Sequence, residues 1–445
     1  MKKFNLTKKM ILALILGLMG GIFFIYLKDY LIGNGKENIW LNINNLFFAD
    51  ISTKGNEQAI GIFYIIGQLF VRSLQMIIIP MVFTSIILAI IKINDTKKLG
   101  IISTKTILIF LLTSMIALIT ASLIGFFIKE LGFFHQVQIN NIEIAETKTG
   151  TNPLMILINA IPLNVTEAFS QNSGVLAIVI LAIIMGIAIN NLQEKIKIIP
   201  QLCHEINEII INVLTYIVNK FGPIAIFSLI LRTFSIYGTD SLKSSMLYII
   251  VVTIMLLLYL IFGYALYIKI LAKLNPIPFI RKILKVSLFG FSTSSSAATL
   301  PLNLKTTTQE LGVDEEIASF VLPLGTTINM DGTAIMQVIA TIFIATTAGY
   351  DLNFSSLILI GFLALIASIG TPAAPGAGAI VLFTILSGTG FVNETAMMMY
   401  TIILAINRPI EMLVTSLNCV GDTASAMIVA KSENLLDEDV YYEEF

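Results

Sequence analysis

Long apolar runs, separated by short charged connections, dominate the first 275 residues. Six such runs lie at residues 10–30, 60–91, 106–128, 177–189, 206–231 and 246–271. A membrane-spanning helix needs about 20 apolar residues, so most of these runs are long enough to cross a bilayer. The first run follows four lysines, as in a signal peptide, but no small-residue cleavage site follows it. The pattern predicts a retained first helix and an all-α polytopic membrane protein.

The apolar pattern changes after residue 285. Blocks rich in serine, threonine, glycine, proline and alanine interrupt it at residues 292–301 and 368–379, and apolar spans follow them at 318–345 and 396–430. Short, Gly/Pro-interrupted apolar segments in corresponding positions are typical of transporter segments that build a site near the bilayer midplane. Irregular backbone at that depth must be buried in protein or line a cavity. We predict two re-entrant helical hairpins, and two kinked helices are the alternative.

The span after the first block contains a polar segment between Gly325 and Gly332. Its polar side chains occupy every second position: Thr327, Asn329, Asp331 and Thr333. This spacing scatters them around a continuous α-helix, because one helical face recurs every three or four residues. The segment therefore predicts a helix that is unwound in its middle, with oxygen atoms suited to a monovalent cation. An ionisable residue within a membrane indicates function by default, and a merely structural Asp331 is the alternative.

The last span has the opposite spacing, with its polar residues on one helical face. They are separated by four, four, three and four positions: Asn407, Glu411, Thr415, Asn418 and Asp422. Such a stripe is too polar to face lipid, and its two carboxylates favour a site for cations and an ammonium group. A solvated helix face is the alternative, which the surrounding apolar residues disfavour.

Composition and charge narrow the class of protein further. Hydrophobic residues make up 56% and charged residues 12% of the chain, whereas soluble domains are about one quarter charged. The net charge of −1 argues against a nucleic-acid partner. Basic connections at residues 92–105, 195–197 and 273–285 predict cytoplasmic termini in the inner membrane. The acidic segment 433–445 predicts a short solvated cytoplasmic tail.

An enzyme or a channel explains these residues less well than a transporter. Ser294, Ser295 and Ser296 could suggest a nucleophile, but no histidine lies nearby in the sequence and no membrane lysine could serve as a base. Cys203 and Cys419 are too far apart in the sequence to suggest a disulfide framework or a metal ligand pair. A channel would need a continuous polar path, whereas the polar residues cluster at the two interrupted blocks.

Together these motifs resemble the dicarboxylate/amino acid:cation symporter family, which includes glutamate and neutral amino acid transporters. The similarity covers nearly the whole chain, is strongest at residues 292–431, and includes an unchanged seventh-helix signature, Asn-Met-Asp-Gly-Thr, at 329–333. It implies eight transmembrane helices, two re-entrant hairpins and a homotrimer with an elevator-type transport domain. Helices 1–6 would occupy residues 1–275 and form mostly a trimerisation scaffold, although helices 3 and 6 would belong to the transport domain. The transport core would occupy residues 276–432, and the tail residues 433–445.

The resemblance also implies site residues, with sodium as a co-substrate and no resident cofactor. One sodium site would use Gly325, Asn329, Asn418 and Asp422. A second would use Thr327, Ser368, Ile369 and Thr371. The third would use Thr113, Ser114, Asn329 and Asp331, with Phe110 where many relatives have tyrosine. The substrate pocket would be formed by Ser295, Ser296, Thr333, Ala374, Gly378, Glu411, Val414, Thr415 and Asn418.

Departures from the family pattern bear on the substrate and the driving ion. Val414 stands where relatives that carry acidic substrates have arginine, so a side-chain carboxylate would lack its bidentate partner. Arg408 lies six residues away, about 9 Å along the helix, and we do not expect it to reach. Glu411 replaces the usual aspartate and leaves the substrate size open, and Gln337 replaces the glutamate of proton-coupled animal relatives. The prediction is sodium-driven uptake of a small neutral L-amino acid such as serine, alanine or threonine. The alternative is a symporter of acidic amino acids or C4-dicarboxylates, driven by sodium or protons, in which Arg408 compensates the charge of the substrate.

Overall fold

The computed structural model describes residues 6–52, 55–93, 100–134, 161–170, 175–192, 195–237, 240–371 and 376–443. Within these ranges the chain is helical apart from its connections and one antiparallel bridge between Val313 and Leu436. The all-α prediction is therefore confirmed. Ala374 and part of the first basic connection, residues 94–99, lie outside the described residues.

The N-terminal part contains ten helices within the described ranges. They are α1 (Leu6–Gly33), α2 (Glu37–Phe47), α3 (Ile62–Ile93), α4 (Gly100–Glu130), α5 (Val165–Ser170), α6 (Val175–Asn191), α7 (Ile198–Tyr216), α8 (Gly222–Tyr237), α9 (Asp240–Leu258) and α10 (Tyr264–Ile270). Two π-helical turns, Ile217–Phe221 and Tyr259–Gly263, connect α7 to α8 and α9 to α10 without a loop. A π-turn inserts extra backbone into a helix and is often found at functional sites.

The C-terminal part contains nine shorter helices within the described ranges. They are α11 (Pro276–Thr293), α12 (Ser296–Gln309), α13 (Glu315–Ile328), α14 (Asp331–Thr347), α15 (Phe354–Ile369), α16 (Ala377–Thr389), α17 (Glu394–Ile406), α18 (Arg408–Ser432) and α19 (Glu438–Tyr442). Helix α18 lies at the centre of this part and packs against α11, α12, α13 and α14. Helices α4, α9 and α10 pack around the same centre, and the division into scaffold and transport domain stays a prediction.

Seven apolar spans are long enough to cross a membrane among the described residues. They are Leu12–Gly33, Ile62–Leu88, Ile102–Glu130, Ile198–Ile236, Ser245–Ile270, Glu315–Thr347 and Arg408–Ser432. The predicted run 177–189 falls in α6, an apolar helix of only 17 residues. These spans confirm a polytopic membrane protein, whereas the elevator motion and the count of eight transmembrane helices stay predictions.

Each interrupted block forms two helices that fold back on each other. Lys285 in the middle of α11 forms an ion pair with Glu310, which directly follows the end of α12. In the second block a Cβ on Gly388 would lie 2.9 Å from Leu363 Cδ1, which places the end of α16 beside the middle of α15. Both pairs are therefore helical hairpins rather than kinked helices, and α11–α12 and α15–α16 are called hairpin 1 and hairpin 2 below.

The predicted span 396–430 is wrong as one continuous helix. The structure divides it into α17 and α18, with Asn407 between them. Pro409 explains the division, because its ring prevents continuation of α17 and it has no N–H to donate to the preceding turn. Proline is well tolerated in the first turn of a helix. Pro409 therefore stops α17 and fits into the first turn of α18.

The acidic C-terminal segment docks on the protein, so the prediction of a solvated tail is wrong. Tyr441 is fully buried, and its hydroxyl donates a hydrogen bond to the Asn275 carbonyl at 2.6 Å. The Lys282 ammonium donates to the carbonyls of Glu310, Val440 and Tyr441 at 2.8–2.9 Å. The acidic composition of the segment gives no sign of this contact. One buried aromatic ring and a row of backbone carbonyls hold the tail against the base of hairpin 1.

Candidate functional site

The helix that carries the Asn-Met-Asp-Gly-Thr motif is interrupted inside the protein. Helix α13 ends at Ile328 and α14 begins at Asp331, while Asn329 and Met330 have non-helical backbone angles. Residues 329–333 are all buried. The predicted unwound segment is thus present, although it is limited to two residues. Helix termini inside a protein leave backbone groups unpaired, and here these groups lie among carboxylate, amide and hydroxyl side chains.

Asp331 begins α14 and faces α4 and α10. Ser114 donates a hydrogen bond to Asp331 Oδ1 at 2.6 Å, and Thr113 lies at 3.5 Å from the same oxygen. Tyr264 donates to Asp331 Oδ2 at 3.1 Å. All three donors are neutral, and no ion pair to Asp331 is present within the described residues. The site therefore combines a buried carboxylate with hydroxyl oxygens and leaves its negative charge uncompensated by the protein.

A second buried carboxylate, Asp422 on α18, lies on the other side of the break. Asn329 Nδ2 donates a hydrogen bond to Asp422 Oδ1 at 3.0 Å. Gly325 permits this approach, because a Cβ there would lie 2.7 Å from Asp422 Cγ. Asn329 Oδ1 in turn lies 3.4 Å from Thr113 Oγ1, so one asparagine connects both carboxylate environments.

The polar stripe of α18 continues from Asp422 to the first turn of α14. Asn418 Nδ2 donates to Thr333 Oγ1 at 3.2 Å, and the Gly332 N–H donates to Asn418 Oδ1 at 2.9 Å. The structure thus brings together the residues predicted for the first and third sodium sites and one side of the predicted substrate pocket. They come from four separate helices.

The residues predicted for the second sodium site are less closely connected. Helices α13 and α15 are in contact, but the hydroxyls of Thr327, Ser368 and Thr371 each donate to a carbonyl three or four residues earlier in the chain at 2.7–3.0 Å. Ile369 is the last residue of α15. Within the described residues no hydrogen bond joins Thr327 to hairpin 2.

The buried Glu411 and the partly buried Arg408 form an ion pair at the start of α18. Arg408 Nη1 lies 3.5 Å from Glu411 Oε2, with side-chain exposures of 11% and 10%. The pair is incompletely satisfied, because Arg408 Nε and Nη1 and Glu411 Oε1 have no hydrogen-bond partner among the described residues. A Cβ on Gly376 would lie 3.9 Å from Glu411 Oε2, so the pair borders the start of α16.

The remaining predicted pocket residues lie on hairpin 1, hairpin 2 and α18. Ser295 caps α12 by accepting a hydrogen bond from the Ala298 N–H at 3.3 Å, and Ser296 is buried beside it. Thr415 donates to the Glu411 carbonyl at 2.9 Å, and Val414 is buried. The Gly378 carbonyl accepts from Gln337 Nε2 at 3.1 Å. The position of Ala374 is outside the described residues.

Sequence reasoning missed one site residue and left another unassigned. Tyr264 directly follows a π-turn, which no periodicity in the sequence indicates, and this turn positions it against Asp331. No sequence signal therefore marked Tyr264 as a site residue. Arg408 was considered only as a distant partner for position 414, whereas the structure pairs it with Glu411. The general rule that an ionisable residue in a membrane span is functional by default could have found that pair.

Known proteins and a known protein family are similar to this chain over most of its length. The model of the sodium:dicarboxylate symporter family matches residues 6–432. A proton/sodium-glutamate symport protein of Bacillus caldotenax is 28% identical over 396 residues, covering 86% of this chain and 91% of its own. The proton/glutamate-aspartate symporter of Escherichia coli (strain K12) is 24% identical, covering 98% of this chain and 94% of its own. An excitatory amino acid transporter of Caenorhabditis elegans is 26% identical, covering 82% and 80% respectively.

These relatives favour the acidic alternative over the neutral amino acid predicted from Val414. The family consists of symporters, which confirms the prediction of a membrane transporter rather than an enzyme. The match extends over almost the entire chain, including every described helix that contributes to the site. The chain therefore belongs to the sodium:dicarboxylate symporter family.

Proposed function

We propose that this protein couples sodium entry to the uptake of an acidic amino acid, with Arg408 as the cationic residue of the substrate pocket. The observation that carries the proposal is the largely buried Arg408–Glu411 pair, in which Arg408 Nε and Nη1 and Glu411 Oε1 have no hydrogen-bond partner in the described part of the chain. An unpaired buried donor or acceptor costs free energy that a bound ligand can recover. A substrate with both a carboxylate and an ammonium group matches this pair.

The charges of Arg408 and Glu411 define the orientation that the proposed substrate would take. Glu411 would accept the α-ammonium group, and the Arg408 guanidinium would donate to the side-chain carboxylate in the bidentate manner that arginine favours. The α-carboxylate would then face Ser295 and Ser296 of hairpin 1. The names of the relatives support this substrate class, because two of the bacterial proteins are symporters of glutamate or of glutamate and aspartate.

Sodium is the proposed driving ion because of the oxygen-rich surroundings of Asp331 and Asp422. Carboxylate, amide and hydroxyl oxygens are ligands for hard cations, and both carboxylates are buried without a cationic partner in the described part of the chain. Gln337 supports sodium over protons, because its buried amide cannot bind a proton in the pH range of transport. The named bacterial relatives include both proton/sodium and proton symporters.

A small neutral amino acid is the second candidate, and Val414 is the observation that favours it. This side chain is buried beside the α14 terminus and offers no donor to a carboxylate. In that case the charges of Arg408 and Glu411 would neutralise each other. The pair would border the substrate without binding a charged group of it. The protein would act in either case as a homotrimer in the cell membrane with cytoplasmic termini and an elevator-type movement.

Uptake into proteoliposomes under an imposed sodium gradient tests the proposal. Labelled L-aspartate, L-glutamate, L-serine and L-alanine are compared in the same preparation, with potassium replacing sodium as the reference. We expect sodium-dependent uptake of aspartate or glutamate. Uptake of serine or alanine with both acidic substrates inert would reject the acidic proposal and support the neutral candidate.

The Arg408→Met variant tests the residue assignment. It should reduce acidic uptake at least tenfold relative to wild type, since a buried charge on the substrate would be left unpaired. Arg281→Met is the matched control, because Arg281 is an exposed arginine on α11, and its uptake should equal that of wild type. Unchanged aspartate uptake in folded Arg408→Met would show that another group holds the carboxylate.

A further inference from the structure

A cluster of three tyrosines lies beside Asp331, within and just after the π-turn Tyr259–Gly263: Tyr259, Tyr264 and Tyr267. Tyr264 donates a hydrogen bond to Asp331 Oδ2 at 3.1 Å. Tyr259 donates to the Thr113 carbonyl at 3.2 Å, and its hydroxyl lies 2.5 Å from that of Tyr267. The three rings contact each other edge to face. This cluster reaches both sides of the cation environment, the α4 backbone at Thr113 and the carboxylate at the start of α14.

We propose that Tyr264 is a positioning residue of the cation site, which holds the Asp331 carboxylate in the orientation that binds sodium. The inference rests on the proposed function, because sodium is the ligand it assigns. The Tyr264 hydrogen bond occupies Oδ2 and turns Oδ1 toward Thr113 and Ser114. A neutral donor orients the carboxylate without cancelling its charge, whereas a lysine or arginine would compete with the cation.

Two further observations indicate that the Tyr264 hydroxyl has a defined place. The side chain is fully buried, so its hydroxyl needs a partner inside the protein, and the hydrogen bond to Asp331 supplies it. On the opposite side, α18 approaches through Gly421, where a Cβ would lie 2.8 Å from Tyr264 Cζ. Glycine is therefore required at position 421 for the phenol ring to lie between Asp331 and α18. On α4, Phe110 provides no side-chain oxygen, so this hydroxyl comes from α10.

The test compares Tyr264→Phe with Tyr400→Phe in purified full-length protein. Tyr400 is the matched control, because it is also fully buried and its hydroxyl donates to the Ile380 carbonyl at 3.2 Å, away from Asp331. The midpoint of thermal unfolding is measured as sodium chloride replaces choline chloride at constant ionic strength. Sodium binding to the folded state raises the midpoint by an amount that grows with the logarithm of the sodium concentration divided by its dissociation constant, so this measurement needs no transport substrate.

We expect Tyr264→Phe to weaken the apparent sodium affinity about tenfold, as the loss of a hydrogen bond to a charged group implies. Tyr400→Phe should retain the sodium affinity of wild type, even if both variants unfold at lower temperature without sodium. In an Asp331→Asn background, Tyr264→Phe should add nothing to the sodium response, because coupled residues are not additive.

Wild-type affinity in folded Tyr264→Phe would overturn the inference, and so would an equal loss of affinity in Tyr400→Phe. If Tyr264→Phe does not fold, Gly421→Ala displaces the same hydroxyl, and an unchanged sodium affinity there would also overturn it. A wild-type protein with no sodium response would reject the sodium proposal and this inference together. A wild-type response that Tyr264→Phe retains would reject this inference alone.

Discussion

Asn329 in the interrupted helix donates a hydrogen bond to Asp422 on α18 at 3.0 Å, across 93 residues of sequence. The same asparagine lies within 3.4 Å of Thr113 on α4. Asn329 is the first residue of the break, directly after α13, and its side chain contacts two separate helices at once. The Asn329 amide thus contacts Asp422 directly and is connected to Asp331 through Thr113, so cation binding at one carboxylate is expected to affect the other.

Asp422→Asn is expected to weaken the response to sodium. The substitution preserves the size of the side chain and an oxygen that can accept from Asn329, but removes the buried negative charge. The loss of a charge partner in a buried site costs roughly 2 kcal/mol or more, or about thirtyfold in affinity. Sodium-dependent uptake and sodium-dependent thermal stabilisation measure the effect. Asp314→Asn, at the cap of α13 on the surface, is the control, and a normal sodium response in Asp422→Asn would remove Asp422 from the site.

Gly325→Ala is expected to impair transport because of one methyl group. Its Cβ would lie 2.7 Å from Asp422 Cγ and would displace the carboxylate or α18. Overpacking of this kind costs typically about 1–3 kcal/mol, and the misplaced carboxylate should reduce sodium-driven uptake at least tenfold. Gly361→Ala is the matched control, because the nearest atom to its Cβ would be Ser122 Oγ at 4.0 Å. Equal uptake by the two variants would contradict the packing argument.

The charge assigned to Arg408 can be moved along α18. The double variant Arg408→Met/Val414→Arg should recover part of the aspartate uptake lost in Arg408→Met, since it returns a guanidinium to the buried start of the helix. Initial uptake rates of labelled aspartate and serine are compared in the single and double variants. A folded double variant that carries only serine would show that the position of the charge, and not only its presence, selects the substrate.

Tyr441→Ala is expected to destabilise the protein by detaching the docked tail. Truncation of a buried aromatic side chain costs about 3–5 kcal/mol, and the Tyr441 hydrogen bond to Asn275 would be lost as well. The thermal unfolding midpoint and the rate of proteolysis near the C-terminus report the effect. Tyr442→Ala is the control, because Tyr442, next to Tyr441 in the sequence, is 46% exposed. An unchanged midpoint in Tyr441→Ala would mean that the tail contributes little to folding.

Much of the fold could be predicted because the bilayer imposes strong rules on sequence. The apolar runs, the helix break at Asn329 and the polar stripe from Asn407 to Asp422 all follow from helical periodicity and the cost of polar groups in lipid. The solvated tail was predicted wrongly, because Tyr441 and Lys282 meet only after hairpin 1 has folded. The comparisons favour the acidic alternative over the neutral substrate inferred from Val414, a position that was considered without the Arg408–Glu411 pair.

The sequence by itself determined a polytopic helical membrane protein with a broken helix and a carboxylate stripe, because periodicity, length and polarity are local properties of the chain. The symporter function was predicted from the resemblance of its motifs to a known family. Only the tertiary structure decided which atoms meet. Tyr264 reaches Asp331 across 67 residues, and Asn329 reaches Asp422 across 93. Such contacts depend on how helices pack and where a π-turn or a glycine lets two backbones approach, and no local pattern encodes those distances.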